Sequence, residues 1–350
     1  MMGVMEPVTQ GLLGATFGQA LYGRALGRRA FTWGAVAGML PDIDVVMNFT
    51  GPMGEFLYHR GITHSVWFGP VVGPLLGALA WRRFGREPGK QSAWIGLFVI
   101  GLLTHPLLDV FTTYGTQLLT PLSDRRFTLD AVAIVDPAYS VILAASLAIG
   151  LWRGVASRES QRVGAMALAL STAYLGYGYW LNEQIKDQVR ARLVAEGARG
   201  ATSAASADVQ SYPTLLQLYL RRVVVRLGDE VRVGWVSAWR RNGRETWQSF
   251  VAPRDPRIEA ARATREGRIL EWFAAGQTVG RVVEGPGGKL VEIDDLRYGL
   301  PGRAELGFWG IRVPLDDEGR PSGPVERFNR PFPESPGSVL RQIFREAFLS

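Results

Sequence analysis

The 350-residue chain has no cysteine and only three histidines. The first absence excludes disulfides, thiolate metal ligands and a cysteine nucleophile, so any metal must be held by nitrogen and oxygen. Lysine is nearly missing too. The net charge of +7 comes from arginines, mostly interleaved with Asp and Glu. Arginine beside apolar segments reads as membrane orientation and contact with anionic headgroups, not as a nucleic-acid surface. The Gly-rich runs carry neither a phosphate-loop nor a dinucleotide fingerprint, which leaves nucleotide binding without support. Residues 1–10 include Glu6 and no basic stretch, so no cleavable signal peptide is expected and insertion would rest on the spans themselves.

What is present divides unevenly. Up to about residue 182 six apolar segments, 8–22, 30–48, 66–81, 93–111, 131–152 and 163–181, approach the ~20 residues that cross a bilayer. The first is short and rich in Gly and Ala, so it either crosses or enters part-way. Basic clusters at 24–29, 82–90 and 153–162 follow the first, third and fifth segments. That alternation predicts six crossings with these loops in the cytoplasm.

The expected fold class is therefore mainly α: a polytopic membrane helical bundle over 1–182, then a helical extension and linker over 183–211. A small α+β domain with an antiparallel sheet, expected outside the cytoplasm, fills 212–350. Hairpins are expected around Gly228-Asp229-Glu230 and around Gly285-Pro286-Gly287-Gly288, a further strand over 305–313, and a helix near 257–274.

The histidines are concentrated. His59 and His64 lie in Tyr58-His59-Arg60-Gly61-Ile62-Thr63-His64-Ser65, and His105 in Thr104-His105-Pro106-Leu107-Leu108-Asp109. Upstream stands Pro41-Asp42-Ile43-Asp44, whose carboxylates, two apart, would share a site only on an unwound helix end. His105 and Asp109 are four apart and share a helical face. All these groups fall at the ends of segments away from the basic loops. Imidazoles with carboxylates suit zinc, manganese or non-haem iron, and ionisable groups at membrane depth read as functional. Asp42, Asp44, His59, His64, His105 and Asp109 are the candidate metal ligands. Asp136 before Pro137 is either a further ligand or a helix cap; Asp130 is a weaker candidate. Against these stand blander readings, in which His59 and His64 are interfacial histidines and His105–Asp109 is a buried hydrogen bond joining two spans.

The order Glu6-Pro7-x-Thr9-Gln10, Pro41-Asp42-x-Asp44, His59-Arg60-Gly61-x-Thr63-His64-Ser65, His105-Pro106-x-x-Asp109-x-x-Thr112-x-Tyr114-Gly115-Thr116 and Asp136-Pro137 resembles the YdjM-like family of bacterial inner-membrane proteins. The resemblance covers roughly residues 5–180 and implies a polytopic inner-membrane protein with metal-dependent hydrolase motifs. Many relatives have His where this chain has Gln10, a poor metal ligand, so a second metal site there is not implied. Residues 294–299 also look like a C-terminal extension found in a subset of the family.

The expected chemistry is hydrolysis assisted by one or two divalent ions, zinc or manganese. Asp44 and His64 would serve the reaction directly, Arg60 would stabilise a phosphoryl oxygen, and Thr63 or Ser65 would orient ligands. Membrane lipids are the expected surroundings and a lipid or lipid-linked phosphoester the expected substrate. The alternatives are a metal-binding transporter and a structural protein in which the metal staples loops together.

Overall fold

The computed structural model describes residues 6–197, 207–239, 246–285, 288–299, 303–331 and 335–349. The chain forms two compact units, one of Met1–Met47 with Tyr58–Tyr179 and the other of Asn48–Leu57 with Trp180–Ser350.

In the first unit small residues set the helix spacing. Helix α1 (Glu6–Phe17) packs on α3 (Arg28–Met39) glycine to glycine. A Cβ on Gly14 would stand 2.2 Å from the Gly34 carbonyl oxygen, and one on Gly38 2.5 Å from that of Gln10. Helices α5 (Phe68–Phe84) and α6 (Gln91–Asp109) pair in the same way through Gly69, Gly73 and Gly77. Close backbone approach of this kind is how helices associate where lipid removes the hydrophobic drive.

Six crossings are not supported. Among the described residues, two helices are long and apolar enough to span a bilayer, Arg28–Met47 and Gln91–Asp109, and a third crossing results if Gly54–His64 and Phe68–Phe84, bent by 65°, act as one. The apolar segments expected at the start and end of the bundle fall short for local reasons. After α1 the chain widens into a π turn at Gly18–Tyr22, continues as the four-residue α2 (Gly23–Leu26), and stops at Gly27, whose φ is 60°. Helix α7 (Pro137–Arg153) has 17 residues, because Asp136-Pro137 starts it late. Helix α8 (Arg158–Gly197) takes in both the sixth apolar segment and the charged stretch expected as a separate extension. Its tyrosines, glycines and hydroxyl residues dilute the apolar run.

The second unit carries two antiparallel four-stranded sheets where one was expected. β1 (Asp208–Pro213), β2 (Leu220–Leu227), β3 (Glu230–Ser237) and β4 (Thr246–Val251) form one in sequence order. β5 (Thr278–Gly285), β6 (Gly288–Asp295), β7 (Trp309–Pro314) and β8 (Glu326–Asn329) form the other. Both expected hairpins are present, with Leu227 opposite Glu230 and Gly285 opposite Gly288; Pro286 and Gly287 lie outside the described residues, as do 198–206 of the expected linker.

Strand β2 is buried on both faces. Val223 and Val225 meet Ile185, Val189 and Leu193, one helical stripe of α8, while Leu220 and Val224 face Val339 and Ile343 of α11 (Pro336–Phe348). The helix expected over 257–274 is two, α9 (Pro256–Arg262) and α10 (Arg265–Phe273). Thr264 breaks it by capping α10, its hydroxyl accepting from the Gly267 amide, as a short side-chain oxygen does at a helix start. Segment Asn48–Leu57, with α4 (Gly54–Tyr58) beginning in it, belongs to this unit although the sequence on both sides belongs to the other.

Candidate metal centre

Three stretches of the first unit supply the polar residues, two of them shaped by a local departure from α-helix. Beyond α3 the chain tightens into a 3-10 helix, Leu40–Thr50, which turns Asp42 and Asp44 to different tasks. In the histidine stretch Arg60 adopts φ 62°, and a 3-10 turn follows at Ile62–His64. That left-handed residue aims its own amide at Asp44 Oδ2, 3.0 Å away. Strain of roughly 1–3 kcal/mol at a non-glycine persists only where the surroundings hold it. The third stretch is α6, where His105 and Asp109 sit one turn apart.

Both inner imidazoles have one nitrogen committed. His105 Nδ1 lies 2.5 Å from the Gly38 carbonyl oxygen, which can only accept, so this nitrogen carries the proton. His64 Nδ1 is 3.0 Å from Asp44 Oδ2. A carboxylate there fixes the same tautomer and ring orientation. The Nε2 lone pairs of both rings are thereby directed at two carboxylates. His64 Nε2 is 3.6 Å from Asp42 Oδ1 and 3.3 Å from Asp109 Oδ2; His105 Nε2 is 3.2 Å and 3.6 Å from the same two atoms. His64, His105 and Arg60 are fully buried.

Asp42, His64 and His105 offer one ligand atom each, all within 4.8 Å of one another. Asp109 closes the group from α6. Its Oδ1 accepts from Gln10 Nε2 at 2.8 Å and its Oδ2 meets Arg60 Nε at 3.1 Å. Asp44 and His59 stand to one side. Asp44 Oδ1 faces His59 Nδ1 at 2.8 Å, and its Oδ2 accepts from Thr63 Oγ1 at 2.7 Å. Arg60 also donates from Nη1 to Thr112 Oγ1, 2.8 Å away, and lies over the Tyr114 ring.

Asp136 is placed otherwise. It caps α7, its Oδ1 accepting from the Ala138 and Tyr139 amides, with the Tyr174 hydroxyl on both its oxygens. Asp130 pairs with Thr128 in a turn. Neither belongs to the three-residue ligand group.

Sequence reasoning missed Gln10 as the donor that holds Asp109, the Gly38 carbonyl behind His105, and Tyr174 on Asp136. Of these only Gln10 stands out in the sequence, as a poor metal ligand within the motif order.

The family profile described as YdjM inner membrane protein matches residues 5–185. The chain belongs to the YdjM inner membrane protein family. The match spans all three stretches of the cluster, and membership makes this a membrane protein. Part of the chain is also similar to the "Uncharacterized protein YfhP" of Bacillus subtilis (strain 168), 30% identical over 112 residues, 31% of this chain and 33% of that protein. The chain thus covers about a third of that relative's length. No solved structure matches.

Whether this YdjM-family cluster suits a cation can be tested on its buried atoms. Asp42 Oδ2, His64 Nε2 and His105 Nε2 are buried and make no hydrogen bond, and Asp109 Oδ2, also buried, has only its ion-pair contacts. A buried polar atom without a partner costs about 1–3 kcal/mol, more when charged. Three carboxylates, Asp42, Asp44 and Asp109, stand against one guanidinium, Arg60. The donor set of imidazole nitrogens and carboxylate oxygens fits a divalent ion in atom type.

Proposed function

We propose that this YdjM-family protein is a membrane-bound, metal-dependent hydrolase whose ion is held by Asp42, His64, His105 and Asp109. The observation that carries the reading is the convergence of His64 Nε2 and His105 Nε2, both buried and without a hydrogen bond, on Asp42 Oδ1 and Asp109 Oδ2 at 3.2–3.6 Å. Zinc and manganese are the ions such a set favours.

The residues divide the work. Asp44 orients His64 and the Gly38 carbonyl orients His105; Gln10 and Arg60 hold Asp109. An ion bound there supplies Lewis acidity toward a phosphoryl oxygen and activation of water. Asp42, whose side chain is 14% exposed, is the side of the cluster nearest to solvent and so to substrate, whereas the two histidines are sealed.

Large apolar side chains surround that opening in sequence: Ile43, Ile62 and Trp67 are all exposed. They support a lipid or lipid-linked phosphoester as substrate. Arg28, Arg82 with Arg83, and Lys90 mark the opposite ends of α3, α5 and α6 from the cluster, which supports a site on the non-cytoplasmic face.

Turnover of a panel of lipid phosphoesters in mixed micelles with added zinc or manganese tests the reading. Wild-type protein is expected to hydrolyse at least one, and Asp44→Asn or His64→Ala to abolish turnover while the chain stays folded. A structural staple is the second reading, favoured by the sealed histidines. Silence of the wild-type protein across the panel, with metal-site variants losing folding in step with metal content, would establish the staple instead.

A further inference from the structure

The stretch of chain that joins the Asp42-Asp44 turn to the His59–His64 turn is entered by the 3-10 helix Leu40–Thr50 and left by α4, yet most of its contacts lie elsewhere. Asn48–Leu57 is part of the other unit, and its grip there is specific. Phe56 is 1% exposed and stacks on Phe273 of α10, with ring centroids 4.2 Å apart and planes 24° apart. The Arg327 guanidinium of β8 covers the Phe56 ring, 4.6 Å from its centroid, and also ion-pairs with Glu55. Behind Phe273 lies Arg297, 4.6 Å from that ring, and Arg297 is locked to Asp295 by Nε and Nη2 contacts of 3.0 and 2.7 Å. Four groups therefore pack in series, Arg327, Phe56, Phe273 and Arg297, a stacked ring pair with a guanidinium against each ring. Burying aromatic rings against guanidinium planes gives both area and cation–π attraction.

Tyr58 follows this anchor directly and His59 follows Tyr58, while Asp42 and Asp44 lie a few residues before it. A free connection of this length would let the two turns sample many separations; pinning its middle removes much of that freedom. We infer that the C-terminal unit is a positioning element for the metal cluster and acts through Phe56 and Glu55. This rests on the metal-site reading and gives the soluble unit a task that reading leaves open. Phe56 and Glu55 are not themselves candidate ligands and act through the chain that leads to Tyr58 and His59, so they are positioning residues.

The test is the metal affinity of the full-length protein in detergent micelles, measured by competition of zinc against a fluorescent chelator. Phe56→Ala is expected to weaken zinc binding about tenfold or more, the scale seen when support of a metal ligand is lost, and Phe56→Leu to keep most of it. Glu55→Arg and Arg327→Glu are each expected to weaken binding, and the double reversal to recover it. Should limited proteolysis show that Phe56→Ala has unfolded the C-terminal unit, the charge reversals decide alone, because both residues are partly exposed. Wild-type affinity retained in all single variants would overturn the inference while leaving the metal site standing. Absence of zinc binding in the wild-type protein would overturn the metal-site reading and this inference with it.

Discussion

Arg60 shows what a residue's type reveals and what only its surroundings can. Beside two histidines it reads as a cation for a phosphoryl oxygen, yet it is fully buried, with Nε on Asp109 and Nη1 on Thr112. Removing one partner of such a pair leaves a buried charge, at a cost of about 3–5 kcal/mol. Arg60→Ala is therefore expected to lower stability on that scale, read as a large drop in the thermal midpoint of the purified protein. A midpoint unchanged by Arg60→Ala would contradict the buried pairing. The histidines and aspartates of the cluster were legible in the sequence because three histidines in 350 residues are too few to be scattered. Which nitrogen of His64 faces which carboxylate was not, since it depends on the left-handed turn at Arg60, and nothing in an arginine announces a positive φ.

Among elements, the glycine contacts of α1 with α3 tie helix packing to the cluster. Gln10 on α1 holds Asp109, and Gly38 at the end of α3 holds His105. A Cβ on Gly34 would lie 2.5 Å from the Gly14 carbonyl oxygen. Gly34→Ala must push the helices apart, with an overpacking cost of about 1–3 kcal/mol, and zinc affinity is expected to fall with stability. Gly176 of α8 has nothing within 4 Å of its would-be Cβ, so Gly176→Ala is expected to stabilise slightly, by up to ~1 kcal/mol. Equal responses of the two variants in thermal unfolding and zinc titration would refute the packing argument. Element type was legible where a local signal dominates, as at the Gly228-Asp229 hairpin or the Asp136-Pro137 helix start. Element length was not: apolar composition passes smoothly through the π turn at Gly18–Tyr22 and the stop at Gly27, so hydropathy alone counts spans the backbone does not make.

At the scale of the molecule, the basic residues and the number of crossings together predict which side faces the cytoplasm. If Gly54–His64 and Phe68–Phe84 act as one crossing, the three crossings that begin after the Arg24–Arg29 cluster would carry the chain to the opposite face beyond Asp109. The absence of cysteine makes this measurable with single substitutions. In intact cells, Ser322→Cys is expected to react with an impermeant maleimide, and Arg86→Cys to react only after the membrane is opened. Reaction of both from the same side would contradict the assignment. The hold of the second unit on Asn48–Leu57 was not legible, because it depends on contacts between residues more than two hundred positions apart, such as Phe56 with Phe273 and Glu55 with Arg327.

The central claim is that Asp42, His64, His105 and Asp109 hold a divalent ion, and elemental analysis of purified protein tests it most directly. Protein isolated without chelators and equilibrated with zinc or manganese is expected to retain about one ion per chain. His64→Ala and His105→Ala, checked by circular dichroism for helix content, are expected to retain almost none. A metal-free wild-type protein, or single-histidine variants that hold as much metal as the wild type, would contradict it.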